Sequence, residues 1–349
     1  MRLFVILLLS FIYSQCNHNE VQLWDNCYSI ENTTVLNNPN DVITEFPQNI
    51  CQLLNLEVIN FTVIWGESNF LIGEIPDCIG ELENLTYLDL GWNYLEGELP
   101  ISIGNLVNLT YLSVLYNQLS GEIPDSVGEL ENLTYLNLGY NYFEGNIPES
   151  IGNLINLEEF YLTQNFISGR IPDSIGNLTD LTMLSIYNNQ INGNIPESIG
   201  NLTNLISINA SLNQLSGQIP TSIGNLNNLE RLWLNNNDLN GGVPYTICNL
   251  DFLIWSPGGF DGEHSYLHSN QLCPPYPDCL EYDIGEQNTS NCQEFMLGDI
   301  NYDNQINIQD IIQVVDIIIN SEYNELADIN SDYIVNVLDV VQIINLILN

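Results

Sequence analysis

The stretch LTYLDLGWNYLEGELPISIGNLVNL, residues 85–109, is one unit of the repeat that decides the fold. Its landmarks return every 24 residues along the chain. A proline column runs from Pro76 to Pro244, and an asparagine column runs to Asn237 with the same spacing. A fixed period of this length predicts a solenoid in which each unit forms one coil.

Each unit follows the pattern LxxLxLxxNxLxGxIPxxIGxLxN. In LTYLDL the last two leucines are only two residues apart, and this alternation indicates a short strand with one buried face. Asn93 follows this strand, and its amide can donate to and accept from main-chain groups where the chain bends inward. One such residue per coil predicts an asparagine ladder. Gly97 and Pro100 then suit a turn back across the outside.

These motifs resemble the plant-type leucine-rich repeat family. Its hallmark LxGxIPxxIGxLxNL is present as LEGELPISIGNLVNL (95–109) and LSGEIPDSVGELENL (119–133). The resemblance covers about residues 53–253 in eight in-phase copies. It implies an α/β repeat fold, a right-handed solenoid of 24-residue coils with a parallel sheet on its concave side. Family members use such solenoids to bind proteins, peptides or other ligands.

The first residues carry the features of an export signal. Residues 1–15, MRLFVILLLSFIYSQ, combine one arginine with a short apolar run, which is typical of a secretory signal peptide. No later apolar stretch is long enough to span a bilayer, so we expect a secreted or cell-surface protein without membrane insertion. Lipidation of Cys16 is an alternative, although Tyr13-Ser14-Gln15 lacks the small residue usually found before a lipidated cysteine.

The cysteines bracket the repeats, since none lies between residues 79 and 247. An even number of cysteines at the two ends of an exported solenoid predicts disulfide-stapled caps. We therefore assign residues 16–52 to an N-terminal cap with a degenerate repeat and residues 254–294 to a C-terminal cap and linker. Many pairings are open, and the most local one joins Cys16–Cys27, Cys51–Cys78, Cys248–Cys273 and Cys279–Cys292. Free or metal-binding thiols are the alternative.

Charge excludes some partners. The chain has 44 acidic residues and only three arginines or lysines, for a net charge of −41. Such a surface repels phosphate backbones and anionic lipids, so nucleic acid and bare membranes are poor partners. It attracts divalent cations instead.

Aromatic residues fill the outward positions beside the strand leucines, which lie on the concave face. Neighbouring strands would place rings of one column about 4.8 Å apart. We therefore predict a binding platform for a glycan or for apolar residues of a protein partner. Two plainer explanations are that tyrosine suits strands and that duplication copied it. The candidate ligand-binding residues are Tyr87, Trp92, Tyr111, Tyr116, Tyr135, Tyr140, Tyr161, Tyr187 and Trp233.

The sequence carries no HExxH, GxSxG, phosphate-binding loop or kinase motif, so we predict a non-enzyme. His264 and His268 lie near Cys273 and Cys279, but their spacing fits no familiar zinc pattern and favours a cap loop. Binding of ice along a regular face is a weaker alternative, since no Thr-x-Thr array is present.

A second duplicated motif occupies residues 295–349. The segments DINYDNQINIQD (299–310) and DINSDYIVNVLD (328–339) alternate oxygen-bearing side chains and end in an aspartate. This spacing is what Ca²⁺ requires from one short loop, and an apolar helix follows each copy. The predicted ligands of two Ca²⁺ ions are Asp299, Asn301, Asp303, the Gln305 carbonyl, Asn307 and Asp310, and Asp328, Asn330, Asp332, the Ile334 carbonyl, Asn336 and Asp339. Acidic turns without metal are the alternative.

The pair resembles a type I dockerin, a duplicated calcium loop followed by a helix. The resemblance implies a small all-α, calcium-binding module and, in well-known relatives, docking onto a cohesin-type scaffold. Position 6, usually glycine, is Asn304 and Tyr333, and positions 10 and 11 are Ile308-Gln309 and Val337-Leu338 rather than Ser-Thr. These departures weaken the cohesin expectation more than the calcium one.

Together these features predict a secreted or cell-surface, non-catalytic recognition protein. Its solenoid would bind a protein or a glycan, and its C-terminal module would attach it to a scaffold in the presence of calcium. The alternative is an accessory component of an extracellular polysaccharide-degrading complex, because dockerins commonly carry such modules.

Overall fold

The computed structural model describes residues 16–37, 44–63, 70–256, 264–280, 283–292, 297–301, 305–320, 324, 326–330 and 334–348. The signal peptide expected at residues 1–15 and the predicted calcium ligands Asp303 and Asp332 lie outside these residues. No helix in the described part of the chain has the length and apolar character needed to cross a membrane.

The repeats form a solenoid with one long parallel sheet, as the repeat pattern predicts. Within the described residues this sheet, here called the inner sheet, has nine strands that pair in chain order. Equivalent residues of successive coils lie opposite each other, for example Leu88 and Leu112. The strands are Val35–Asn37, Val58–Asn60, Tyr87–Asp89, Tyr111–Ser113, Tyr135–Asn137, Glu159–Tyr161, Met183–Ser185, Ser207–Asn209 and Arg231–Trp233.

Shorter parallel sheets follow the inner strands after each turn. These outer strands are Thr44–Glu45, Leu71–Glu74 and Tyr94–Glu96, then Ser120–Glu122 and Tyr142–Glu144, then Asn192–Gly193, Gln214–Gly217, Asp238–Gly242 and Gln271–Cys273. An antiparallel hairpin, Glu20–Leu23 with Asn26–Ser29, precedes the array.

A 3-10 helix returns the chain along the outside of each coil. Successive helices approach so closely that a methyl group added to Gly152 would lie only 2.5 Å from Cβ of Ser174. The Ser174 hydroxyl also donates to the Glu149 carbonyl at 2.8 Å. Glycine and serine therefore set the spacing of coils. The 3-10 helices are Gln48–Gln52, Asp77–Glu81, Ile101–Asn105, Asp125–Glu129, Glu149–Asn153, Asp173–Asn177, Glu197–Asn201, Thr221–Asn225, Tyr245–Asn249, Asp278–Leu280 and Thr289–Asn291.

The asparagine column binds main-chain groups of two coils. Asn117 Oδ1 accepts from the Leu95 amide at 2.9 Å, and its Nδ2 donates to the Leu90 and Val114 carbonyls at 2.9 and 3.0 Å. The predicted ladder is thus present, with the backbone linking one asparagine to the next. It satisfies buried polar groups that the inward bend removes from water.

The solenoid continues past residue 253, where the sequence period is lost. Asn270 takes the next place in the ladder, since its Oδ1 accepts from the Leu239 amide at 3.1 Å. Gln287 takes the place after that and accepts from the Leu272 amide at 3.3 Å. One apolar core accordingly runs from Val21 to Ile284.

All eight cysteines form disulfides, and the local pairing is right at one end and wrong at the other. Cys16–Cys27 and Cys51–Cys78 are as predicted. The C-terminal pairs are Cys248–Cys279 and Cys273–Cys292. The Cys248–Cys279 pair follows from the close contacts between successive 3-10 helices, which bring one glycine position and one serine position together in each pair of coils.

Cys51 and Cys248 occupy the glycine position of these contacts, and Cys78 and Cys279 occupy the serine position one coil later. Both disulfides therefore replace a Gly–Ser contact, with Cα atoms 5.8 Å apart in each case. A signal for this pairing was present. The first cysteine of each pair follows a proline by four residues, Pro47 or Pro244, and the second follows a later proline by two residues, Pro76 or Pro277.

The C-terminal residues form a separate small helical pair. Helix α1 is Ile308–Asn320 and helix α2 is Val337–Leu348. Their core within the described residues contains five buried apolar side chains, Ile300, Val314, Leu326, Ala327 and Ile343. Val314 and Ile343 are equivalent positions of the two sequence copies.

Candidate functional site

The inner sheet exposes one face, here called the inner face. Leu88 and its equivalents are fully buried, so the residues on either side of them point away from the core. This places Tyr87 and Asp89 on the inner face, as the leucine spacing predicts. The face corresponds to the concave side of the expected solenoid.

Two columns of aromatic rings stack on this face. Tyr87, Tyr111 and Tyr135 form the first, with centroids 4.3 Å apart and ring planes within 12° of parallel. Trp92, Tyr116 and Tyr140 form the second, with centroids 4.0 and 4.1 Å apart. The rings are thus somewhat closer than the strand spacing.

The residues of the second column have an unusual backbone conformation. Trp92, Tyr116 and Tyr140 have φ angles of 57°, 55° and 56°. Such left-handed conformations cost on the order of 1–3 kcal/mol for bulky residues. The amide of Trp92 donates to the Leu115 carbonyl of the next coil at 2.7 Å. This bond and the ring contacts offset the strain.

The remaining three predicted residues lie elsewhere on the face. Tyr161 and Trp233 are in the column of Asp89, and Tyr187 is in the column of Gly91. Tyr161 makes a tilted contact with Tyr135 at 5.7 Å. The structure therefore brings six of the nine aromatics into two stacks and leaves three outside them.

Stacking determines what the rings can offer a ligand. The middle ring of each stack, Tyr111 or Tyr116, has a neighbouring ring on both of its faces, so its edge is the part left for a ligand. Sugars bind aromatic rings through the ring face, which these stacks cover over most of their length. The predicted platform is therefore a surface of ring edges and hydroxyl groups.

Asp89 is a buried acid beneath the first column that sequence reasoning did not single out. Its Oδ1 accepts from the Gly91 amide at 2.9 Å, and the Tyr87 hydroxyl lies 3.5 Å from its Oδ2. Burial raises the pKa of Asp89 above its ordinary value, although these hydrogen bonds oppose the shift. Asn137 occupies the same position two coils later and bonds the Gly139 amide in the same way.

Burial also raises the pKa of Tyr111 and of Tyr135, with further contributions from neighbouring charges. The pKa of Tyr161 rises for the same reason, and its hydroxyl donates to Glu159 Oε2 at 2.6 Å. The tyrosine hydroxyls thus remain protonated hydrogen-bond donors at physiological pH.

In the first predicted calcium loop, the aspartate at position 12 is central. Asp310 is fully buried, and its Oδ1 accepts from the Ile300 and Asn301 amides at 2.8 and 3.1 Å. Its Oδ2 accepts from the Asn307 amide at 2.8 Å. The Asn307 side chain lies 3.1 Å from the Gln305 carbonyl, so two further predicted ligands are adjacent.

The second loop repeats this geometry. Asp339 Oδ1 accepts from the Asn330 amide at 3.3 Å and its Oδ2 from the Asn336 amide at 2.9 Å. The Asn336 side chain again lies 3.1 Å from a predicted carbonyl ligand, that of Ile334. Two loops that differ in sequence thus close around their last aspartate in the same way.

The donor set fits a hard divalent cation. Asp299, Asp310, Asp328 and Asp339 are all buried, and no arginine or lysine follows residue 231 in the sequence. Buried carboxylates require a positive partner or strong hydrogen bonds. Within the described residues no cluster of three or more His, Cys, Asp or Glu could hold a metal, and Asp303 and Asp332 lie outside them.

The geometry of strands, ladder and 3-10 helices defines residues 84–250 as a leucine-rich-repeat solenoid. Two family models agree with this class. One, described as leucine rich repeat, matches residues 131–191. The other, of the same description, matches residues 84–106, 108–130, 204–226 and 228–250. No curated protein matches the chain.

Solved structures that are similar to this chain also belong to the leucine-rich-repeat class. The chain is similar to the LRR ectodomain of the plant membrane receptor kinase GASSHO1/SCHENGEN3 from Arabidopsis thaliana, in complex with CASPARIAN STRIP INTEGRITY FACTOR 2. Identity is 30% and the TM-score is 0.64, covering 71% of this chain and 28% of that one. It is also similar to the plant peptide hormone receptor RGFR1 in complex with RGF2. There identity is 34% and the TM-score 0.61, covering 67% and 35%.

The chain therefore spans about a third of the length of these receptors. A plant ice-binding protein is similar in fold, with 24% identity, a TM-score of 0.57 and coverage of 78% of this chain and 83% of that one.

Proposed function

We propose that this protein is a non-catalytic extracellular recognition protein whose inner face binds a peptide or a segment of a protein. The observation that carries the proposal is the paired aromatic stack, which presents ring edges and tyrosine hydroxyls across three coils. Such a surface suits the mixed polar and apolar outline of a polypeptide. The solved receptors that share the repeat include one described as a peptide hormone receptor.

We further propose that the C-terminal helical pair is an attachment module of the dockerin type, with a cohesin-type scaffold as its partner. The supporting observation is a duplicated exposed apolar stripe. On α1 it comprises Ile308, Ile312, Val315 and Ile319, and on α2 Val337, Val341, Ile344 and Leu348. Ile308 is 70% and Val337 67% exposed, which is unusual for aliphatic side chains.

Two Ca²⁺ ions are proposed to hold this module together. Asp299, Asn301, Asp303, the Gln305 carbonyl, Asn307 and Asp310 would bind one ion, and the equivalent residues from Asp328 to Asp339 the other. Bound calcium would neutralise the buried carboxylates and crosslink the two ends of each loop. The stripe would then be displayed only by the calcium-loaded form.

Capture of partners from the native extracellular fluid tests both proposals. Three baits are compared in calcium and in chelator: the full chain, a Tyr111→Ala/Tyr135→Ala variant and an Ile312→Asp/Val341→Asp variant. Partners of the solenoid should persist in chelator and be lost with the tyrosine variant alone. Partners of the module should be lost in chelator and with the helix variant.

A matched control is Ile101→Asp, which changes an exposed aliphatic residue outside both faces. Circular dichroism must show that each variant retains the solenoid. If the tyrosine variant captures the same polypeptides as the full chain, the inner face is not the binding surface. If the helix variant behaves as the full chain does, the stripe is not the attachment face.

A further inference from the structure

The outer strands leave a row of aromatic side chains in solvent. Tyr94, Tyr142 and Phe166 are 47%, 52% and 50% exposed, and each directly follows a buried asparagine of the ladder. They therefore share one column on the outer side of the solenoid. Single exposed apolar residues need no explanation, but a contiguous group of large ones marks an interaction surface.

The rings of this column contact one another in two pairs. Phe70 and Tyr94 have centroids 4.7 Å apart with a tilt of 44°, and Tyr142 and Phe166 are 6.1 Å apart and within 12° of parallel. Gln118 takes the position between the pairs, so Tyr94 and Tyr142 have no aromatic neighbour on that side in the described part of the chain. The outer column thus leaves ring surface open to a ligand.

Like charges lie opposite each other beside these rings. Glu74 pairs with Glu96 across two outer strands, and Glu122 pairs with Glu144 across two others. All four side chains are exposed. Like charges directly opposite each other on neighbouring strands destabilise a sheet. These pairs therefore carry a repulsion that a bound cation would relieve.

The protein has almost no cation of its own to place there. It contains three arginines and no lysine. Arg2 belongs to the predicted signal peptide, and Arg231 lies in the inner sheet. Arg170 alone is on the outer side, two coils beyond Glu122 in the same column. The repulsion within the glutamate pairs is thus left for a partner to offset.

The last coils show that the solenoid does not require these residues. Gln190 and Gln214 replace the aromatic residues there, and neutral residues such as Asn192 and Gln218 replace the glutamates. The outer strands still pair, for example Asn192 with Gln214. The rings and the acids thus occur together in one half of the array without a structural need. The four rings and the four paired glutamates are here called the outer patch.

A groove of about 900 Å³ adjoins the outer patch. Glu122 and Glu144 line it together with Glu98 of the preceding coil, and apolar groups of Ile147 and Pro148 complete it. The carboxylates therefore border a concave surface. Such a surface can receive a long side chain that has an apolar stem and a charged end.

We propose that the outer patch binds an extended, arginine-rich segment of a partner protein. The guanidinium groups donate to the carboxylates of the two glutamate pairs and stack on the open sides of Tyr94 and Tyr142. The patch is distinct from the inner face, so the inference does not rest on peptide binding there. It adds a second recognition surface to the solenoid.

Three physical arguments favour arginine. A guanidinium provides a planar fork of donors that matches a carboxylate. It also stacks on aromatic rings, whereas the compact ammonium of lysine is more strongly hydrated. The net charge of −41 attracts any cation. At physiological ionic strength, however, charges on exposed groups are largely screened beyond about 8 Å, so the contacts within the patch determine selectivity.

Calorimetric titration of the full chain, with calcium and at physiological salt, tests the proposal. The probes are end-blocked hexapeptides of arginine, of lysine and of glutamine, and a hexamer of glucosamine. We expect saturable binding of the arginine peptide and at least fivefold weaker binding of the lysine peptide. The glutamine peptide should give no measurable heat of binding.

Variants of the glutamates locate the interaction. Glu74→Gln/Glu122→Gln removes one acid from each pair and should weaken binding of the arginine peptide at least tenfold. Gln218 shows that glutamine fits this column. The thermal midpoint should not fall, because the substitutions remove a repulsion. Glu83→Gln/Glu131→Gln, which removes the same charge from exposed positions beyond the 3-10 helices, is the matched control and should change the affinity less than twofold.

A variant of the rings tests the selectivity. Tyr94→Gln/Tyr142→Gln copies the residue found at Gln118. It should bring the affinities for the arginine and lysine peptides within twofold of each other, since only the guanidinium gains from stacking. Circular dichroism will show that each variant retains the solenoid.

Equal affinity for the arginine and lysine peptides, or equal loss in the two glutamate variants, would overturn the inference, because bulk charge would then explain the binding. Tighter binding of the glucosamine hexamer would also overturn it, since the cation would then belong to a glycan. The Tyr111→Ala/Tyr135→Ala variant separates this surface from the inner face. It should bind the arginine peptide as the unmodified chain does, and a loss there would contradict the proposal.

Discussion

The solenoid and the C-terminal helical pair bury polar groups in opposite ways. In the solenoid the buried polar side chains are almost all neutral, chiefly the asparagines of the ladder, which bond to backbone of an adjacent coil. In the helical pair, the buried polar side chains among the described residues are four aspartates. The solenoid core runs through the whole array, whereas the described core of the pair has five side chains.

This difference separates two sources of stability. A coil gains apolar burial and hydrogen bonds from its neighbours, so the array is stable through its length. The helical pair is too small to be stable by apolar burial alone and concentrates negative charge. We therefore expect the stability of the second region alone to depend on calcium.

Removal of calcium should have the largest effect. In chelator the helical pair should lose its cooperative unfolding transition, because two bound ions at 100 times their Kd each contribute about 2.7 kcal/mol. The solenoid transition should not change. Differential scanning calorimetry with and without calcium measures both. A calcium-dependent solenoid transition would remove the distinction between the regions.

Loss of a ladder residue should be the next largest effect. Asn141→Ala leaves the Leu119 amide without its acceptor at 3.0 Å and removes the bond at 2.9 Å to the Val114 carbonyl, which keeps its bond from Asn117. With about 1–3 kcal/mol for the unsatisfied buried amide and about 0.5–1.5 kcal/mol for the lost second bond, unfolding free energy should fall by roughly 2–4 kcal/mol. Denaturant titration measures this. Asn132→Ala removes one bond on the surface and should cost less than about 1 kcal/mol.

Overpacking between coils should have an intermediate effect. Gly152→Ala places a methyl group against Ser174, and relief requires two coils to separate. We expect a loss of about 1–3 kcal/mol. Gly73→Ala is the comparison, because with no neighbour within 4 Å and a φ of 83° it introduces backbone strain without overpacking. Gly152 has no positive φ, so if Gly152→Ala leaves the unfolding free energy unchanged, the contact between coils does not determine their spacing.

The smallest effect concerns the buried acid of the solenoid. The raised pKa of Asp89 means that its contribution to stability is present below the ordinary aspartate range and is lost as pH rises through the folded-state pKa. Asp89→Asn should therefore increase the thermal midpoint slightly at pH 7 and flatten its dependence on pH. Asn137, which makes the same amide bond, shows that the substitution fits. A lower midpoint at pH 7 would show that the charge is needed.

The repeat period was sufficient to predict the strands, the asparagine ladder and the parallel sheet. These features depend on contacts between residues that are a constant number of positions apart, and such a spacing can be read directly from the sequence. The prediction of two calcium loops rests on the same kind of regularity, since every proposed ligand of one ion comes from twelve consecutive residues.

The tertiary structure determined the contacts that do not follow the 24-residue period of the sequence. Cys273 bonds Cys292 and Cys248 bonds Cys279 because an insertion delays one coil, and proximity in space rather than in sequence governs disulfides. The aromatic columns were visible, but only the angle between ring planes showed that edges rather than faces are exposed.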